Sequence, residues 1–215
     1  MQDHDKPPPR DPQHYRRQLP HITRPGEAVF VTCRLAGALP AAICEELLRL
    51  RQVADAARTV SAAAYYAAHK RCFGHWDAYL DQQAEPLPRW LHQPAIAAAV
   101  TRELAAVARA HRLNVVAYCV MPNHVHFIAG LPEDLSTPFY TLMQRFKGRT
   151  ARVGNQILGR QGQFWQAESY DHVVRDSGEM GRIVTYILHN PVKARLVAEW
   201  AHWPYTYLNP SFIGQ

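Results

Sequence analysis

Two histidines set one residue apart, His124 and His126, lie in Val120-Met121-Pro122-Asn123-His124-Val125-His126-Phe127. In an extended strand alternate side chains share a face, so both imidazoles point one way while Val125 and Phe127 point the other. Two neutral imidazoles can offer nitrogen lone pairs to a divalent cation, and a strand held in a sheet fixes them at little further ordering cost. A cation needs at least one more ligand and an open position. Alternatively, the pair simply occupies a half-exposed face.

A second cluster, Tyr186-Ile187-Leu188-His189-Asn190-Pro191-Val192-Lys193, follows in the last third of the chain. On a helix, residues four apart share a face, which brings the Tyr186 phenol and the Asn190 amide together. An amide oxygen is a hard ligand suited to Mg²⁺ or Mn²⁺, and with His124 and His126 it makes a three-ligand set. A phenol beside such a cation can attack a polarised phosphate, given help with a proton whose usual pKa is about 10. The structural alternative is a Tyr packed on the sheet and an Asn capping the helix before Pro191. Four cations, Arg145, Lys147, Arg149 and Arg152, form a basic helical run that either attracts phosphates or solvates an exposed face.

These side chains need elements to hold them. Apolar spacing predicts a strand from Glu27, a helix from about Ala41, a helix over about 95–112, and strands at 114–120 and 124–129 joined by Met121-Pro122-Asn123. A helix from about Leu135 past Arg152, a strand over 165–174 and a helix over 177–189 follow. The stretch 59–94 lacks clean periodicity and reads as an insertion; His69 and His75 within it are assigned no role. Residues 1–25 are polar, charged and Pro-rich, and read as a mobile tail.

The chain has 215 residues and a net charge of +6, compatible with a polyanionic partner. Its four cysteines show no metal or disulfide spacing, which fits a reducing cytoplasm. No segment has the length and apolarity of a membrane span or signal peptide.

The motifs Val120-Met121-Pro122-Asn123-His124-Val125-His126 and Tyr186-Ile187-x-x-Asn190-Pro191-Val192-Lys193-Ala194 resemble those of REP-associated tyrosine transposases, relatives of one-tyrosine IS200-like transposases among the HUH single-strand endonucleases. The resemblance extends through Phe30-Val31-Thr32, Phe146-Lys147-Gly148-Arg149 and Phe164-Trp165-Gln166-x-Glu168-Ser169-Tyr170-Asp171-His172, covering most of residues 20–200. It implies an α+β fold: a ferredoxin-like or RRM-like antiparallel sheet with helices packed on it, as one catalytic domain over 26–200 with the insertion at 59–94 and a C-terminal tail at 201–215. His124 and His126 then become metal ligands, Asn190 a third, and Tyr186 the nucleophile. The implied reaction cleaves and rejoins single-stranded DNA at REP-type hairpins through a 5′-phosphotyrosine, by a monomer or homodimer in the cytoplasm at the nucleoid. Ala194-Arg195-Leu196 departs from many relatives, which carry glycine after the alanine. A non-catalytic hairpin-binding protein of the same fold and a hydrolase of small phosphoesters are the competing readings.

Overall fold

The strand that carries the histidines is hydrogen-bonded on both sides, and the rest of the fold can be read outward from it. The computed structural model describes residues 14–16, 20–56, 59, 61–82 and 87–212. Strand β1 (His14–Arg16) pairs antiparallel with β2 (Pro20–Ile22), within the segment read as a tail; residues 1–13 and 17–19 lie outside the described residues. The remaining strands are β3 (Ala28–Arg34), β4 (Asn114–Val120), β5 (His124–Gly130), β6 (Tyr170–Val173) and β7 (Thr206–Leu208). They form one antiparallel sheet in the order β6-β3-β5-β4-β7. β5 therefore occupies the middle, where both its neighbours fix its register.

Five helices surround this sheet among the described residues: α1 (Ala41–Ala56), α2 (Ala62–Gln82), α3 (Pro94–His111), α4 (Phe139–Ile157) and α5 (Ser177–Lys193). Strand alternation sorts the core into two layers. Val29, Val31, Cys33, Val125, Phe127 and Ala129 pack with Ile96, Val100 and Leu104 of α3 and Leu142 and Phe146 of α4. Phe30, Ala117, Cys119 and Ile128 face the other way and pack with Val184, Ile187 and Leu188 of α5. The α+β antiparallel architecture is thus the expected one.

Local chemistry accounts for most boundaries. Pro94 opens α3 at a position where its missing N–H is no loss. α4 starts at Phe139, later than the periodicity predicted, because Pro138 holds an extended backbone just before it. Asp176 caps α5 by accepting from the Glu179 N–H, while the Glu179 carboxylate accepts from the Arg175 N–H. Gly154 of α4 lets Phe164 approach so closely that a Cβ would sit 2.4 Å from its ring.

Four expectations are revised. The predicted strand at 165–174 shortens to β6, Trp165 contributing one isolated bridge to Leu35. α5 continues through Pro191 to Lys193, so Asn190 lies inside the helix and does not cap it. Residues 206–208, expected in a tail, form β7, the sheet's edge beside β4. The insertion contains α2, a helix of 21 residues that packs on α1 and contributes to both core layers.

Candidate active site

β5 places His124 and His126 on the α5 face, both fully buried, with ring centroids 4.4 Å apart. Asn123 next to them is also buried, and its Nδ2 donates to the Leu80 carbonyl of α2 at 2.9 Å. A carbonyl can only accept, so the Asn123 amide oxygen is left facing His124 Nδ1, 2.7 Å away. An amide oxygen has no proton to give. His124 must therefore donate through Nδ1, and its Nε2 keeps a lone pair. Across the sheet, Thr32 Oγ1 lies 2.8 Å from His126 Nδ1 and can accept in the same manner.

α5 brings Tyr186 and Asn190 to these rings, as their spacing predicts. The Tyr186 phenol lies 3.3 Å from His126 Nε2 and donates to the carboxylate of Asp77. Phe30 and Phe73 meet its ring edge-on at centroid distances of 6.1 Å, which fixes its tilt. Lys193, half-exposed, lies on the solvent side: its ammonium is 5.8 Å from the Tyr186 ring centroid and 3.8 Å from Asp77 Oδ2. Asn190 is completely buried beside His124.

Asp77, on α2, is the residue that sequence reasoning missed. It is 2% exposed, and its Oδ1 lies 3.4 Å from His126 Nε2. One ligand atom from each of Asp77, His124 and His126 lies within 4.8 Å of the other two. Burial pushes the Asp77 carboxyl up, but contacts with His126, His124 and Tyr186 outweigh it and hold the group at about 2. Burial, reinforced by neighbouring His126, pushes His124 well below its usual value, so that ring is neutral. An ionised carboxylate and a neutral imidazole are protonation states that bind metal.

The donor set fits a divalent cation on a further ground. Asp77 Oδ1, His124 Nε2 and both amide atoms of Asn190 are buried and make no hydrogen bond. Buried polar atoms in folded proteins are almost always paired, and three of these four, Asp77 Oδ1, His124 Nε2 and Asn190 Oδ1, carry lone pairs of the kind a cation takes up. Asp77, His124, His126 and Asn190 are the residues that could hold it.

The basic run falls elsewhere. α4 packs against α3, on the side of the sheet opposite the imidazoles. Arg145 and Arg152 are exposed there, and Arg149 pairs with Glu103 at 3.0 Å. Lys147 turns inward: its ammonium donates to the carbonyls of Gln166 and Ala167 and to Ser169 Oγ at 2.6, 2.9 and 3.2 Å, tethering the segment before β6. In the insertion, His75 pairs with Glu46 at 2.9 Å and joins α2 to α1; the His69 side chain lies outside the described residues.

Comparison with known proteins agrees with the motifs. Residues 89–190, just under half of the chain, match the family described as "Transposase IS200 like". That segment holds His124, His126, Tyr186 and Asn190 and excludes Asp77. A REP-associated tyrosine transposase of Escherichia coli (strain K12) is 29% identical over 103 residues, 46% of this chain and 57% of that protein. A relative from Haemophilus influenzae is 29% identical over 101 residues, 42% of this chain and 56% of its own length. The chain thus spans little more than half the length of the curated relatives it matches. A solved structure of a REP-associated tyrosine transposase bound to a REP hairpin shares the fold, with a TM-score of 0.51 and 18% identity over 89% of this chain and 80% of that one. The chain is similar to REP-associated tyrosine transposases, as its motifs indicate. No helix among the described residues is long and apolar enough to cross a membrane.

Proposed function

We propose that the chain is a metal-dependent tyrosine transposase that cleaves and rejoins single-stranded DNA beside REP-type hairpins, with Tyr186 as nucleophile and Mg²⁺ or Mn²⁺ as cofactor. The observation that carries this reading is the convergence of a helix-borne phenol on a buried imidazole and carboxylate, 3.3 Å from His126 Nε2. Hairpin DNA as substrate is drawn from relatives, one of which is bound to such a hairpin. When bound among His124, His126 and Asn190, a divalent cation supplies charge that polarises a phosphate oxygen.

The chain's own residues do the rest. His124 and His126 are locked in one orientation by Asn123 and Thr32, so binding needs no rearrangement of either ring. Phe30 and Phe73 hold the Tyr186 ring so that its oxygen faces the site. That oxygen forms a bond to a phosphodiester phosphorus as the bond from phosphorus to the 3′-oxygen breaks. The phenol, oriented by the hydrogen bond it donates to Asp77, loses one proton to solvent, and the departing 3′-oxygen takes one up from solvent to become a hydroxyl, so the protons balance. A 5′-phosphotyrosine conserves the bond, so a 3′-hydroxyl can attack it in reverse without ATP. The exposed Arg145, Arg149 and Arg152 are assigned to DNA phosphates distant from the chemistry; Lys147, with its ammonium engaged by three oxygens, contributes less.

The test is covalent capture. Incubated with Mn²⁺ and an oligonucleotide carrying a REP-type hairpin and a single-stranded flank, the chain should form a denaturation-resistant protein–DNA adduct, and Tyr186→Phe should form none. An adduct that persists in Tyr186→Phe refutes the nucleophile. Hairpin binding without cleavage points to the non-catalytic reading, and phosphoester turnover that never yields an adduct points to a hydrolase.

A further inference from the structure

A carboxylate enters this site from a helix outside the segment shared with the transposase family. Asp77 stands on α2, within the stretch whose sequence suggested only an insertion. Its two oxygens have different surroundings. Oδ2 accepts from the Tyr186 phenol and lies 3.8 Å from Lys193 Nζ, whereas Oδ1 makes no hydrogen bond and faces His126 Nε2 at 3.4 Å.

An ionised carboxylate that is 2% exposed is costly unless a positive charge compensates it. The Lys193 side chain is 53% exposed, so water screens much of what it offers. His124 offers a lone pair at Nε2, because its Nδ1 proton is committed to Asn123 Oδ1. Asp77 Oδ1 and His124 Nε2, both without a hydrogen bond, therefore converge with His126 on one point, one ligand atom from each residue lying within 4.8 Å of the other two. Asn190 adds a neutral amide, which cannot balance charge in either direction.

We propose that Asp77 is a bridging carboxylate: Oδ1 ligates the divalent cation alongside Nε2 of His124 and His126, while Oδ2 holds the Tyr186 phenol at the site. The claim deepens the cation-site reading above and adds a residue from α2 to it. A hard anionic oxygen with two imidazoles suits Mn²⁺ and Mg²⁺, and it makes ion binding depend on how α2 is seated. That seating is visible: the Leu80 carbonyl accepts from Asn123, and Phe73 stacks on Tyr170 with centroids 4.3 Å apart.

Ion binding can be measured without DNA. Mn²⁺ is titrated into the full chain and the free ion is followed by its electron paramagnetic resonance signal, with folding checked by circular dichroism. D77N should weaken Mn²⁺ binding about tenfold or more, the range that loss of a supporting group already reaches in metal sites. D77E, which keeps the charge but moves it by one methylene, should fall between D77N and the unmodified chain. Either folded variant binding Mn²⁺ as tightly as the unmodified chain overturns the assignment. The two readings fail separately: the expected Mn²⁺ order without any DNA adduct leaves Asp77 as a ligand and removes the transposase, whereas a Tyr186 adduct with D77N binding Mn²⁺ normally does the reverse.

Discussion

The two faces of the central sheet handle buried polar groups in opposite ways. On the α3/α4 face the core is Val, Leu, Phe and Ile, and a polar group such as Thr150 is satisfied nearby: its hydroxyl donates to the Phe146 carbonyl at 2.7 Å and accepts from Trp165 Nε1 at 2.8 Å. On the α5 face, Asp77, His124 and Asn190 keep four buried atoms without a partner. A fold can tolerate such groups only when the remainder of its core is strong enough to hold them there, or when a ligand completes them. One side of the sheet therefore supplies the stability, and the other spends part of it on a site.

That division can be broken experimentally. The largest effect expected is on chemistry: Tyr186→Phe should lose adduct formation completely while its thermal midpoint falls only modestly, for the one hydrogen bond lost to Asp77, because the ring and its contacts with Phe30 and Phe73 remain. Phe146→Ala should do the opposite. Phe146 is 1% exposed beneath α4, and its truncation should cost about 3–5 kcal/mol in denaturant unfolding. A folded Phe146→Ala chain should still bind Mn²⁺ as before at low temperature; a lost site would show that the two faces are not independent.

A smaller effect is expected where α5 ends. The Arg195 N–H donates to the Val192 carbonyl and the Leu196 N–H to the Pro191 carbonyl, both at 2.9 Å, which closes the helix with Arg195 at φ 56. That left-handed position favours glycine. Arg195→Gly should raise stability by up to about 1 kcal/mol without changing Mn²⁺ affinity. Smallest of all, Arg152→Ala on the far face should flatten the salt dependence of hairpin binding by about one unit of log–log slope, and leave cleavage of saturating DNA intact. An unchanged slope would mark α4 as a solvated face.

Periodicity made much of this legible. The spacing of His124 and His126 on a strand, and of Tyr186 and Asn190 on a helix, sets side-chain direction locally, so their common faces followed from sequence alone. Asp77 was not legible, since His75-Trp76-Asp77-Ala78-Tyr79 looks like any helix with mixed faces, and its role depends on where α2 docks. The same limit applies to Lys147. Its neighbours Arg145 and Arg149 are exposed, yet a loop some twenty residues on, at Gln166–Ser169, captures its ammonium. β7 escaped because three residues carry too little alternation to stand out; the pairing of Tyr207 with Tyr118, rings stacked at 5.2 Å, is a long-range event.

The phenol of Tyr186 reaches an imidazole of its own polymer. A reaction run from that arrangement uses groups of one copy only, and two differently damaged copies then have nothing to lend each other; restored activity on mixing would place the phenol in a partner's site. Mixing Tyr186→Phe with His124→Ala should accordingly yield a population as inert as either alone, with no complementation at any ratio.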